Sequence, residues 1–268
     1  MDIKKFIKQD GEKPLDNIVS NGGFCGIFRT IACIGDSLSS GEFEGFMNEQ
    51  TSYHDMYEYS WGQYIARDAG ISVKNFSRGG MSAKGDCESF ARENGFWNPE
   101  FAAQGYIIAL GVNDISQCLC GEYDFGSIDD VDLSDWAKNK PTFAGYYASI
   151  IARYKEIQPK AKFFLMTIPD DSCSDERKKL TDAHYNLMYQ LAEKFDNCYV
   201  LDLYKYGPKY DEEFKNAFYM GGHLNAAGYR ITALMVESYI DYIIRNNPED
   251  FRQIGFVGTP YHNSNYKW

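Results

Sequence analysis

Five short apolar runs punctuate the chain, at Thr30–Ile34, Val73–Phe76, Tyr106–Leu110, Lys162–Ile168 and Tyr199–Leu203. None alternates cleanly between apolar and polar residues. Parallel strands covered on both faces look like this, because neither side is left to solvent. Between the runs, apolar residues recur at helical spacing. Phe143, Tyr146, Tyr147, Ile150, Ile151 and Tyr154 form one stripe, and Leu180, Ala183, Leu187, Leu191 and Phe195 a second. Ala227, Ile231, Leu234, Met235 and Tyr242 form a third, behind Asn225 as a candidate N-cap. Strands alternating with helices predict right-handed βαβ units and a doubly wound parallel sheet. No internal repeat and no low-complexity linker interrupts the pattern. Residues 1–268 therefore read as one domain, with a core over about 30–245, an N-terminal extension at 1–29 and an irregular tail at 246–268.

Two segments break the rhythm. Residues 42–60 are rich in Tyr, Phe, Met and acids, and residues 118–140 carry Asp129, Asp130, Asp132 and Asp135. Each follows a predicted strand and so falls at the carboxyl edge of the sheet, where α/β folds bind ligands. The acidic run reads more simply as a solvated insertion.

Composition narrows the classes. Hydrophobic residues make up 44% of the 268, enough for a sizeable core and against global disorder. The net charge of −11 repels phosphate backbones and anionic lipid, so nucleic acid and membrane partners are not expected. No apolar run approaches the roughly 20 residues of a membrane span. No apolar stretch follows Lys4, Lys5 and Lys8, so no secretory signal is read and a cytoplasmic location is expected. The seven scattered cysteines, an odd number, fit a reducing compartment. Cys118-x-Cys120 lacks a second ligand pair, and no metal is expected.

Candidate chemistry lies in four loops. In Ile31–Glu42 an apolar strand ends at Gly35, and Asp36 and Ser37 sit at the turn that follows. A serine there can expose its hydroxyl and its N–H above the sheet edge; the same triplet also reads as an ordinary turn or N-cap. In Val73–Gly85 a strand ends at Gly79-Gly80, which suits close backbone approach to a ligand or simply a tight turn. In Ile107–Ser116 a central strand ends at Gly111-Val112-Asn113-Asp114, where the Asn amide can donate to an oxyanion or close an Asx turn. In Phe218–Arg230, His223 precedes a helix. Of the four histidines, His54 falls in the aromatic segment, His184 on an apolar helix and His262 in the tail. His223 alone has a context suited to a general base.

In this order the four blocks resemble those of the SGNH hydrolases, the GDSL-type esterases and lipases. The resemblance runs from about Ile31 to the helix after Asn225. It implies an α/β fold, a three-layer α/β/α sandwich on a flavodoxin-like parallel five-stranded sheet. It also implies Ser37 as nucleophile, His223 as base, an oxyanion hole from Ser37, Gly80 and Asn113, and no cofactor; Asp36 and Asp114 flank these as supporting residues. One block departs from the family's D-x-x-H, because Met220 stands in Met220-Gly221-Gly222-His223. The backbone carbonyl of Met220 could orient the imidazole in a Ser–His dyad, Asp202 could substitute, or catalysis could be weak.

The function expected is a serine esterase acting on short acyl groups, such as acetyl on a carbohydrate or another small neutral substrate. Alternatives are a lipase or lysophospholipase-type acylhydrolase, a non-catalytic carbohydrate-binding protein on the same fold, and a flavodoxin-like nucleotide or flavin binder. The last lacks any phosphate-cradling glycine pattern.

Overall fold

The computed structural model describes residues 7, 9–47, 50–171 and 173–255. Its strands are β1 (Thr30–Gly35), β2 (Glu42–Met47), β3 (Gln50–Asp55), β4 (Ser72–Ser77), β5 (Gly105–Ala109), β6 (Lys162–Met166), β7 (Cys198–Leu201), β8 (Tyr219–Met220) and β9 (His223–Leu224). The five expected strands form one sheet in the order β4-β1-β5-β6-β7, every neighbouring pair parallel. Counted along the chain this is the 2-1-3-4-5 order of flavodoxin-like folds. Three strands stop short of the apolar runs that announce them, β5 by the single residue Leu110. Ile168 lies past the end of β6, just before Pro169, and Leu203 instead opens a short helix, Leu203–Tyr206, capped by Asp202.

Side-chain alternation along buried strands divides the core in two. Ala32, Ile34, Tyr106, Ile108, Phe163 and Leu165 point to one face, and Ile31, Cys33, Val73, Ile107, Phe164 and Leu201 to the other. The main helices are α1 (Trp61–Ala69), α2 (Val112–Leu119), α3 (Phe143–Ile157), α4 (Asp175–Lys194) and α5 (Ala226–Asn246). Buried residues of α3 and α4 cover the first face, and those of α1 and α5 the second, which completes three layers. Thr142, Ser174 and Asn225 cap α3, α4 and α5 through their side chains, as such residues do.

The stripe expected on α5 is rotated from the face that packs. Ala227 is exposed, whereas Tyr229, Ala233, Val236 and Ile240 are buried. The described N-terminal residues account for the burial of further sides of this helix. Arg245 of α5 makes two hydrogen bonds to Glu12, at 2.7 and 2.8 Å, and one to Asp241 at 2.6 Å. The Val19 and Phe24 N–H groups donate to Ser238 and Asp241 at 3.0 and 2.8 Å. Residues 247–255 are irregular and return Phe251 to the core against Phe28 and Tyr199. The rest of the tail, His262 included, lies outside the described residues.

Both irregular segments have structure. Glu42–Met47 and Gln50–Asp55 pair as the antiparallel strands β2 and β3. In 118–140 the acids terminate turns: Ser127 and Asp130 form a capping box, Asp135 caps Trp136–Lys138, and Asp130 pairs with Lys140 at 2.7 Å. All seven cysteines are free thiols. No helix among the described residues is long and apolar enough to cross a membrane.

Asp86 is fully buried with neither carboxyl oxygen hydrogen-bonded. Burial pushes its carboxyl up to about 7, Arg153 opposing and Asp114 adding to the rise. An unfolded Asp titrates near 3.9. Between those values the folded chain keeps a proton that the unfolded chain releases, so this group's stability contribution is present below about 4 and is lost as pH rises through 7. Asp86→Asn removes that loss. In urea unfolding, the variant's advantage over the parent is expected to grow from pH 4.5 to pH 8; a constant difference would refute the assignment.

Candidate active site

Because the sheet strands are parallel, the loops after β1, β4 and β5 all leave the same edge, on either side of β1 where the winding direction reverses. After β1, Asp36 caps the helix Ser37–Ser40 and accepts the Leu38 N–H at 3.0 Å. Burial pushes its carboxyl up to about 7, against that hydrogen bond. Ser37 is the first helical residue, a position whose N–H has no partner within the helix. Its carbonyl accepts from the Tyr229 hydroxyl at 3.4 Å.

After β4, the turn at Arg78–Met81 closes with a 3.2 Å bond from the Met81 N–H to the Arg78 carbonyl. Gly80 has φ +71° there, and open space lies beside it. After β5, Asn113 sits on the first turn of α2 and its amide donates to the Met81 carbonyl at 3.0 Å. Asp114 is buried and accepts the Ala83 N–H at 2.8 Å and the Tyr123 hydroxyl at 2.5 Å. Burial raises its carboxyl to about 6, with both bonds opposing. The second and third blocks are therefore bonded directly to each other.

His223 lies on β9, directly after the two-residue turn that follows Met220. Its imidazole is held between two carboxylates of β2. Nδ1 is 3.3 Å from Glu44 Oε2, and Nε2 is 3.1 Å from Glu42 Oε1. Glu44 Oε2 also accepts the Gly222 N–H at 2.6 Å. That bond, then the histidine, holds the Glu44 carboxyl below the usual carboxylate range. Burial pushes the Glu42 carboxyl up; His223 opposes, while Asp55 and Glu44 add to the rise. The Tyr229 hydroxyl donates to the Glu42 carbonyl at 2.6 Å, and Phe43 packs on Tyr229 and Tyr59, which fixes β2 from its other face. Tyr53, opposite Glu44 on β3, stands edge-on to the imidazole at 5.6 Å.

Neither orienter expected from the sequence meets Nδ1. Asp202 is fully buried and engaged elsewhere, accepting the Tyr189 hydroxyl at 2.6 Å and the Lys205 N–H at 2.9 Å. Met220 pairs with His223 across the tight turn, but the ring nitrogen faces Glu44. His184 is buried below the third block, with Nε2 3.0 Å from the Leu110 carbonyl, and burial pushes it down to about 4. His54 is exposed on β3 and contacts Ser52.

A cavity of about 470 Å³ opens at this edge, and Ser37, Asn113 and His223 all line it. Leu38, Trp61, Met166, Ile168, Leu203 and Leu224 make much of its wall apolar. Gly80 is not among the lining residues. Among the described residues no three His, Cys, Asp or Glu side chains converge as a metal would need.

The profile of the GDSL-like Lipase/Acylhydrolase family matches residues 33–231. The chain belongs to that family. No curated protein matches it by sequence. Among solved structures, a family two carbohydrate esterase from Clostridium thermocellum in complex with cellohexaose superposes with TM-score 0.56 at 16% identity, covering 90% of this chain and 67% of that one. A Corynascus thermopiles (Myceliophthora fergusii) carbohydrate esterase family 2 enzyme with a carbohydrate-binding domain gives 0.53 at 18%, covering 79% and 65%. The acetyl xylan esterase AlAXEase gives 0.51 at 17%, covering 79% and 99%. At these identities the likeness is one of fold, and the fold is that of the SGNH hydrolases.

Relative to the family pattern, the residues that sequence reasoning missed are Glu42 and Glu44. Their signal was the i, i+2 spacing of the two acids soon after Ser37, which puts both on one face of a strand. For the third block, Asp114→Ala strands the buried Ala83 N–H, at roughly 1–3 kcal/mol, and also releases the part-buried Tyr123 hydroxyl. Its urea midpoint is expected to fall further than that of Tyr123→Phe, which removes one partner only. Equal losses would show that the Ala83 contact contributes nothing.

Proposed function

We propose that the chain is a serine esterase hydrolysing carboxylic esters through an acyl-enzyme. The observation that supports this reading is the meeting of Ser37, Asn113 and His223 on the wall of one cavity. Ser37 Oγ attacks the acyl carbonyl while His223 Nε2 takes its proton, then returns it to the departing alcohol. The oxyanion is held by the N–H groups of Ser37 and Gly80 and by the second amide hydrogen of Asn113, the first being committed to Met81. Glu42 Oε1 also lies 3.1 Å from Nε2, so the Ser37 hydroxyl must take its place at that nitrogen for the proton to pass. Water then resolves the acyl-enzyme by the same path in reverse.

For the substrate, an acetylated carbohydrate is the reading favoured. The solved neighbours described above are named as carbohydrate or acetyl xylan esterases. Phe46 and Tyr53, 76% and 58% exposed on the hairpin, offer flat apolar faces to a sugar ring. The net charge of −11 disfavours anionic substrates. A second reading, an acylhydrolase for longer chains, is favoured by the apolar cavity wall, which exceeds what an acetyl group fills.

Two measurements test these readings. Ser37→Ala is expected to lower kcat on p-nitrophenyl acetate by about 10⁴- to 10⁶-fold and to abolish labelling by a fluorophosphonate; full activity in the variant would end the serine mechanism. Across p-nitrophenyl esters from acetate to octanoate, kcat/KM is expected to fall with chain length. A rise toward octanoate would replace the acetyl reading with the acylhydrolase one.

A further inference from the structure

The family's acid is missing at position 220, yet the space behind the imidazole is filled. Gly221 has φ +66°, and a side chain there would collide with the Glu44 carboxylate. A side chain at Gly79 would likewise collide with the carboxylate of Glu42. The two glutamates thus nest against glycines of two separate site loops. They are not equivalent. Glu44 accepts the Gly222 N–H, which holds its carboxyl below the usual carboxylate range, and it faces Nδ1. Glu42 faces Nε2, the nitrogen that must be free to accept from Ser37, and it lies opposite Asp55 across the hairpin.

We propose that Glu44, carried on the hairpin that follows the nucleophile, is the positioning acid for His223. The chain then runs nucleophile, acid, base. This rests on the Ser37–His223 reading above. As Ser37 Oγ attacks, its proton passes to Nε2. The Nδ1 proton stays on the ring, shared with Glu44, which remains unprotonated. The carboxylate fixes the tautomer with Nε2 free and stabilises the imidazolium as it forms.

The test compares Glu44→Gln, Glu44→Asp and Glu42→Gln with the parent enzyme. Gln at 44 keeps an acceptor for the Gly222 N–H, so folding is expected to survive, with thermal unfolding as the control. Glu44→Gln should lower kcat by about 10⁴-fold, the scale seen when a triad acid is neutralised in place, with KM little changed. Glu44→Asp should recover part of the loss. Independently of turnover, the downfield proton resonance of His223 Nδ1–H should be present in Ser37→Ala and shift or vanish when Glu44→Gln is added. An unchanged resonance, or a kcat loss confined to Glu42→Gln, would overturn the assignment. Retained activity in Ser37→Ala with the resonance still dependent on Glu44 would instead sink the nucleophile and leave the Glu44 contact standing.

Discussion

An imidazole that must turn over protons needs its two nitrogens told apart, and here β2 contacts both. Residues two apart on a strand face the same way and lie about 7 Å from each other. Glu42 and Glu44 therefore reach either side of one ring. The rest of the edge is arranged around that span. Phe43 turns inward between them and is gripped by Tyr59 and Tyr229, so the acids have one face available to them. The hydrogen bond from the Tyr229 hydroxyl to the Glu42 carbonyl ties the hairpin to α5, the helix that His223 precedes.

The remaining site depends on connections among the loops. The Asn113 bond to Met81 and the Asp114 bond to Ala83 make the second and third blocks a unit, so the two oxyanion candidates they carry move together. Asp36 holds the first block as a cap, not as a reacting group. Three carboxyls here, Asp36, Asp86 and Asp114, are pushed up by burial. Burial thus opposes the build-up of negative charge on these three side chains.

Strands buried on both faces announce themselves as unalternating apolar runs, and all five sheet strands were legible in that way; Asn225 was legible as a cap from its place before an apolar stripe. The four blocks were legible because each chemical residue sits at a strand end or just before a helix. The face of α5 was misread because residues 12–24 lie along it, and contacts from a distant segment leave no periodicity in the helix itself. The partner of His223 was sought near it in sequence, or at the end of the last strand. It comes from 179 residues earlier, on a hairpin within the segment 42–60 that stood outside the strand–helix pattern. Only the tertiary contact of β2 with β8 and β9 brings Glu42 and Glu44 against the imidazole.

The hairpin begins five residues after Ser37, joined through one turn of helix and Gly41. Pleating has parity. Shifting the β2–β3 ladder by one residue would present Phe43 and Gly45 to the imidazole and send both acids to the opposite side. The spacing from Ser37 through Gly41 to β2 therefore sets which face of the hairpin carries the acids, and a one-residue insertion there would take both carboxylates away from the imidazole.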